Sequence, residues 1–412
     1  MSATHPIVII GAGHAGVTAA ARLKELNWSG GIIMVDQQST DPYERPPLSK
    51  DLLKTDSDGR AQRLRKAGWF EERGIRFLSG RSATGIDRDS QVVHLSDGHQ
   101  QQYHRLIIAT GATARALPVP GADLPGVQML KTHEDAVQLR EALQQQKRIV
   151  VIGAGYIGME VAAAATAAGC RTTVIEFQDR IMSRVTSEPI SHFFENLHTQ
   201  AGANFRFSTG ASEIQGEGRV ERVLTNTGEV HKADVVVVGI GVIPNQDLAE
   251  QAGLLCDDGI IVDAEARTSD PHIYAIGDVS RSICQFENVD RRLECIQNAT
   301  HQATQAARSI MGADPAEPEI AWFWTVQHDK RLQTAGVRHP DDELVLRGNP
   351  AAGKFSVLYL REGRLAAIDT VGRLADFRQG KKLISARHII DPIIVADANR
   401  PLSDSIRDLV TA

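Results

Sequence analysis

Two copies of a strand–GxGxxG–helix–strand–acid passage, each followed by an apolar strand ending in glycine, and a tail of alternating strands predict an α/β protein. The predicted layout is two Rossmann-like dinucleotide-binding domains followed by a C-terminal α+β domain. The first passage runs Ile7-Val8-Ile9-Ile10-Gly11-Ala12-Gly13-His14-Ala15-Gly16, an Ala-rich helical stretch over 17–26, then Ile32-Ile33-Met34-Val35-Asp36. The second runs Arg148-Ile149-Val150-Val151-Ile152-Gly153-Ala154-Gly155-Tyr156-Ile157-Gly158, a helical stretch over 159–168, then Thr172-Thr173-Val174-Ile175-Glu176. Each copy continues in alternating strands around a turn, 91–95 before Asp97-Gly98 and 220–224 before Thr227-Gly228. Each closes on an apolar strand and glycine, Leu106-Ile107-Ile108-Ala109-Thr110-Gly111 and 235–238 followed by Gly239-Ile240-Gly241.

The glycines have separate tasks. Gly11 and Gly153 permit the tight turn, Gly13 and Gly155 let backbone approach a diphosphate, and Gly16 and Gly158 let helix pack on strand. The diphosphate then faces a helix N-terminus, and Asp36 and Glu176 stand where a carboxylate accepts hydrogen bonds from ribose hydroxyls. Glu176 favours NADH over NADPH. A 2′-phosphate about 4 Å from a carboxylate meets repulsion of up to roughly 4 kcal/mol at an effective dielectric of 20. Arg180 and Arg184 lie near enough in sequence to weaken that preference.

Composition sets the remaining bounds. A chain of 412 residues with 42% hydrophobic residues buries sizeable cores, which excludes a disordered or fibrous chain. A net charge of −6 supplies no global basic field for nucleic acid or an anionic membrane. The longest apolar run, 235–243, is too short to span the roughly 30 Å of bilayer hydrocarbon. The N-terminal stretch has neither the basic nor the long apolar region of a signal peptide. Cys170, Cys256, Cys284 and Cys295 form no CxxC pair and no metal-ligand spacing, so no metal site and a reduced, cytoplasmic setting are expected.

A further strand, His272-Ile273-Tyr274-Ala275-Ile276, ends in Gly277-Asp278. With the two fingerprints, it resembles the second FAD motif of the glutathione-reductase-like superfamily of two-dinucleotide flavoproteins. That resemblance implies FAD on the first fingerprint, Asp278 on the flavin ribityl chain, and NADH on the second fingerprint. The FAD domain is then discontinuous, 1–112 plus 246–312, with the NADH domain at 113–245 and the C-terminal domain at 313–412. Pro118, Pro120, Gly121, Pro125 and Gly126 mark the first crossing and Pro244-Asn245 the return.

Tyr43-Glu44-Arg45-Pro46-Pro47-Leu48-Ser49-Lys50, the run Tyr156-Ile157-Gly158-Met159-Glu160, Glu294-Cys295-Ile296-Gln297-Asn298-Ala299 and Trp322-Phe323-Trp324 narrow the resemblance. Together they look like the oxygenase-coupled, NADH-dependent ferredoxin reductases, the putidaredoxin-reductase-like flavoproteins that serve cytochrome P450 and Rieske oxygenase systems. Disulfide-reducing members of the superfamily carry cysteines where this chain has none. Reduced flavin would therefore pass its electrons outside the protein, to a [2Fe–2S] ferredoxin.

The resemblance implies that Pro46 and Lys50 lie against the flavin ring, with Lys50 paired to Glu160 as the catalytic pair. Further FAD contacts are expected from Gly11, Gly13, Ala15, Gly16, Asp36, Gln37, Arg45, Ala83, Ala109, Thr110, Gly111, Lys131, Gly277, Asp278 and Ile296. NADH contacts are expected from Gly153, Gly155, Tyr156, Ile157, Gly158, Glu160, Glu176, Arg184, Gly239 and Gly241. Three positions depart from the family pattern: Lys131 stands for its arginine, Cys295-Ile296 for smaller residues, and Thr325-Val326-Gln327 for Ser-Asp-Gln.

An acidic ferredoxin implies a local basic patch, drawn from Arg291, Arg292, Lys330, Arg331, Arg338, Arg378, Lys381 and Lys382. Docking is expected to be transient and electrostatic, on a monomer or weak homodimer. The enzymatic alternatives are rubredoxin reductase, which has the same architecture with an iron-only acceptor, and monodehydroascorbate reductase. An apoptosis-inducing-factor-like signalling flavoprotein is the alternative of another class.

Overall fold

The computed structural model describes residues 5–284 and 289–407. The first four residues of the N-terminal stretch read above, and the Cys284 side chain, lie outside the described residues. The fold is α/β, with two Rossmann-like parallel sheets and a C-terminal α+β region. The chain divides into two compact units. One comprises Met1–Glu44, Gln62–Thr113 and Ile243–Ala321; the other comprises Arg45–Ala61, Ala114–Val242 and Trp322–Ala412.

The first unit is built on β1 (Ile7–Ile10) and β2 (Ile32–Asp36), with α1 (His14–Glu25) between them. Its parallel sheet runs Ile273–Ala275, Arg105–Ile108, β1, β2, Ile75–Ser79. All four β1 residues are buried, as a central parallel strand covered on both faces requires. Ile7, Ile9, Met34 and Ile107 pack on one face among the alanines of α1 and of helix Ile296–Ile310. Val8, Ile10, Ile33, Val35 and Ile108 pack on the other, beside Val93 and Leu95 of a three-stranded antiparallel sheet. Each fully buried aliphatic side chain contributes about 1.5–3 kcal/mol.

The second unit repeats the plan with β3 (Ile149–Ile152), α2 (Tyr156–Ala167) and β4 (Thr172–Ile175). Its sheet runs Asn204–Arg206, β4, β3, Val235–Val238, Val127–Gln128. Helix α3 (Glu188–Gln200) follows β4, and an antiparallel sheet over 211–232 covers one face with Ile214, Val220 and Val223. The same unit holds the C-terminal antiparallel sheet, ordered β5 (Trp322–Gln327), Lys330–Gly336, Arg364–Val371, Lys354–Arg361, Glu343–Asn349. Helix Leu374–Ala386 lies directly on this sheet. A Cβ at Gly380 would come within 2.8 Å of Ile368 Cγ2.

That sheet also carries a buried ion pair. Arg347, 2% exposed, donates to Asp376 Oδ2 at 3.0 Å and to the carbonyls of Val395 (3.0 Å), Asp397 and Arg400. Burial pushes the Asp376 carboxyl up. Donation from Arg373, Arg347 and Ser356 outweighs that and leaves it below its ordinary value. Its stabilisation is present above the unfolded carboxyl value of about 4 and is lost as pH falls through the folded one. Arg347→Leu leaves Asp376 to Arg373 and Ser356 and takes the Arg347 donor from three carbonyls, so urea unfolding should show a loss of about 1–3 kcal/mol at pH 7. That deficit should narrow as pH drops below about 4.

Candidate active site

The first cradle forms where β1 meets α1. Gly11 has φ +103°, and a Cβ there would sit 2.2 Å from the Ala109 carbonyl oxygen. A Cβ on Gly16 would sit 2.0 Å from the Gly11 carbonyl oxygen, so the helix rests directly on the turn. Gly13 is different: a Cβ there meets nothing within 4 Å. It is the N-cap of α1, no side chain caps that helix, and no acid lies in its first turn. An uncapped helix start beside open space suits a diphosphate.

At the end of β2, the Asp36 carboxylate accepts from the backbone N–H groups of Ala12 (2.6 Å) and Gln38 (2.7 Å). Its remaining lone pairs suit ribose hydroxyls. Gly277-Asp278 opens a short 3-10 turn against this helix start, with the Gly277 Cβ position 3.0 Å from the Ala15 methyl. Gly277 N–H donates to buried Gln302 at 2.8 Å.

Thr110 follows the same strand as Ala109, and its hydroxyl donates to the Asn245 carbonyl at 2.8 Å while the Asn245 amide donates back to Thr110 O. Gly111 has φ +67° and open space at its Cβ position. Gln37 is exposed, Ala83 opens the strand Ala83–Asp87, and Ile296 is half-buried at the start of its helix. One pair was missed from sequence: His14 Nε2, inside the fingerprint, lies 2.7 Å from Glu44 Oε2 of the Tyr-Glu-Arg-Pro stretch.

The second cradle matches the first closely. Gly153 has φ +99° with its Cβ position 2.5 Å from the Gly239 carbonyl oxygen, and Gly158 would meet Gly153 O at 2.0 Å. Gly155 is an uncapped N-cap with nothing within 4 Å. Glu176 accepts from Ala154 N (2.5 Å) and Gln178 N (2.8 Å). Gly241 has φ +104° and open space, and Ile157 is 44% exposed. The Tyr156 ring lies 4.6 Å from that of Phe323, and burial pushes its phenol pKa up. Arg184 is exposed. The expectation for Arg180 needs correction: its guanidinium staples the loop after β4, donating to Ser191 Oγ (2.6 Å), Ser183 O (3.0 Å) and Thr186 O (3.2 Å). The residues present in both cradles fit dinucleotides.

The second unit also brings Lys50 to Glu160. Lys50 Nζ lies 2.8 Å from Oε1 and 2.9 Å from Oε2 of a carboxylate that is 2% exposed. Ser49 Oγ donates to Oε2 and Thr325 Oγ1 donates to Oε1 at 2.6 Å. The departure at Thr325-Val326-Gln327 thus has a place in the structure, on a buried edge of this carboxylate. Pro46 opens the short helix Pro46–Ser49, and Arg45 Nη1 donates to the Lys131 carbonyl at 3.3 Å. Trp322 and Trp324 stack with ring centroids 5.5 Å apart, and Lys381 Nζ lies 5.3 Å above Trp322. Arg292 is corrected as a docking candidate, because it is spent on Glu294 (2.5 Å), Asp258 and the Asp278 carbonyl. Burial raises the thiols of Cys170, Cys256 and Cys295 to about 11 each. No helix among the described residues is long and apolar enough to cross a membrane.

The glycine geometry separates folding from binding. Gly13→Val should melt like the parent protein by circular dichroism yet lose about a hundredfold in flavin nucleotide affinity by fluorescence titration. Gly16→Val should not fold, because no rearrangement short of lifting α1 clears a carbonyl at 2.0 Å.

Residues 5–303 match the family described as pyridine nucleotide-disulphide oxidoreductase, and residues 322–406 match one described as reductase C-terminal. The chain is 41% identical over 401 residues to rhodocoxin reductase of Rhodococcus erythropolis, covering 97% of this chain and 94% of that one. It is 38% identical over 412 residues to putidaredoxin reductase CamA of Pseudomonas putida, covering 98% of each. Its fold overlays the crystal structure of the covalent putidaredoxin reductase–putidaredoxin complex with a TM-score of 0.95 at 37% identity, over 98% of both chains. With two glycine cradles inside the matched region and likeness along nearly its whole length, the chain belongs to the pyridine nucleotide-disulphide oxidoreductase family.

Proposed function

We propose that this chain is an NADH-dependent ferredoxin reductase, an FAD enzyme that feeds a cytochrome P450 or Rieske oxygenase. The observation that carries the reading is the duplicated nucleotide cradle in a chain whose Tyr43–Lys50 stretch holds no cysteine. FAD held by the first cradle would supply the two-electron to one-electron chemistry between NADH and a [2Fe–2S] ferredoxin. The residues of the chain position and polarise. Lys50, held by Glu160, would supply fixed positive charge to a flavin ring set beside it. No side chain is needed as acid or base, so rate depends on alignment.

In this reading FAD occupies the first cradle, with Gln37, Ala83, Arg45, Pro46, Lys131 and Ile296 as further contacts. NADH occupies the second, with Glu176 receiving its ribose and Arg184 nearby. The domains follow as 1–112 with 246–312 for FAD, 113–245 for NADH and 313–412 for the C-terminal part. The ferredoxin docks transiently on exposed basic residues, Arg331, Arg378 and Lys382 among them, beside the Trp322–Trp324 stack. The protein works in the cytoplasm as a monomer or weak homodimer.

NADH should bleach the yellow protein within seconds, and cytochrome c reduction should depend on added [2Fe–2S] ferredoxin. Stimulation by rubredoxin in its place would overturn the acceptor assignment. The ferredoxin-dependent rate should fall severalfold between about 50 mM and 500 mM salt, as screening of a steered encounter requires. Glu176→Ser should lower the NADH-to-NADPH ratio of kcat/KM by about tenfold, consistent with removal of a repulsive carboxylate.

A further inference from the structure

Glu160 is the end of a longer polar chain buried in the second unit. Thr325 and Gln327 occupy alternate positions on β5 and so share a face. Gln327 Nε2 lies 3.4 Å from Thr325 Oγ1 and 3.5 Å from Met182 Sδ. Gln327 Oε1 lies 2.9 Å from His198 Nε2, in the last turn of α3. His198 Nδ1 lies 3.3 Å from His328 Nε2, in the turn after β5, where His328 adopts φ +53°. Glu160 is 2% exposed, Thr325, Gln327 and His198 are 0% exposed, and His328 is half-buried.

The direction of every bond follows from the carboxylate. Ionised Glu160 only accepts, so Thr325 must donate to it and has only its lone pairs left to offer Gln327. Gln327 therefore turns its amide nitrogen to Thr325 and its oxygen to His198. His198 must then carry its proton on Nε2, and a neutral ring leaves Nδ1 to accept from His328. Burial lowers the His198 pKa to about 4, which keeps the ring neutral near pH 7. Phe205 packs edge-on to the same ring at 6.3 Å, closing a further side.

We propose that His328, His198, Gln327 and Thr325 form a one-way hydrogen-bond chain that positions the Glu160 carboxylate and, through it, the Lys50 cation. These are positioning residues; none is placed on substrate or cofactor. The chain gives one carboxylate oxygen to Thr325 while Ser49 holds the other, and Lys50 reaches both. With Thr325 gone, the carboxylate turns on Lys50 and Ser49 alone and the cation moves with it. The inference rests on the reductase reading for its consequence, but the chain itself is a property of the folded protein.

Thr325→Val keeps shape and removes the donor, whereas Thr325→Ser keeps the donor. In stopped-flow reduction of the holoprotein by NADH, Thr325→Val should lower the limiting rate about tenfold with the NADH dissociation constant unchanged. Thr325→Ser should restore the rate. Independently of turnover, the ring nitrogens of His198 are read by 15N NMR in the NADH-free holoprotein at pH 7, with signals assigned by their loss in His198→Gln. Nε2 should be protonated and Nδ1 bare. A ring protonated on Nδ1 would overturn the chain, and so would a Thr325→Val protein reduced at the parental rate. A parent protein that NADH fails to bleach would instead overturn the reductase reading, with the ring tautomer still deciding the chain.

Discussion

One buried negative charge, on Glu160, ties three remote segments of the second unit together. A carboxylate at 2% exposure is destabilising by several kcal/mol unless it is paired and hydrogen-bonded. Glu160 meets that demand with three donors from two remote segments, Ser49 and Lys50 from one and Thr325 from another. These bonds help hold Arg45–Ala61 in the second unit, although the chain on both sides of it belongs to the first. The short segment follows its carboxylate. The Gly59 carbonyl accepting from His133 and the Ser57 carbonyl accepting from Arg140 hold its far end.

The cradles obey a different logic, in which backbone does the work and side chains stay away. At Gly11, Gly16, Gly153 and Gly158 a Cβ would fall within 2.0–2.5 Å of a carbonyl oxygen, so the residue is dictated by packing. At Gly13 and Gly155 nothing in the protein forbids a side chain, and the constraint comes from what approaches. The identical locking of Asp36 and Glu176 by two backbone N–H groups shows that strand-end acids are placed by main chain, one residue type differing by a methylene. That extra methylene carries the Glu176 carboxylate further from its backbone.

Local pattern made most of the fold legible. Apolar strands feeding glycine turns, Ala-rich helices and acids at strand ends are short-range features, and the structure places β1, α1, β2, β3, α2 and β4 where they point. The Lys50–Glu160 pair, 110 residues apart, came from resemblance alone and is present in the structure. What escaped is chemistry that depends on distant segments meeting. Thr325 reads as a strand residue beside tryptophans, and nothing local ties it to Glu160, 165 positions away. Arg347 was not singled out from sequence, and it is buried where carbonyls at 395, 397 and 400 converge on it. Arg180 and Arg292 fail as free basic residues for the same reason: carbonyls and acids from loops claim them. His198 carries a hint in its position, since a histidine in the last turn of an amphipathic helix reads equally as a dipole partner.

The three described cysteines share one property, a thiol raised by burial. A thiol raised to about 11 is a thiolate in roughly one molecule in ten thousand at pH 7, too few for exchange or for a thiol–flavin adduct. Cys295, at the N-cap of its helix, would ordinarily gain acidity from the helix dipole. Here its sulfur accepts a long bond from Asn298 N–H (3.5 Å), with a further contribution from Gln297 N–H, and burial outweighs that help. The proposed passage of electrons one at a time to an outside carrier is compatible with this arrangement. A nearby thiolate would offer a competing two-electron reaction, and the three described thiols are held protonated by burial.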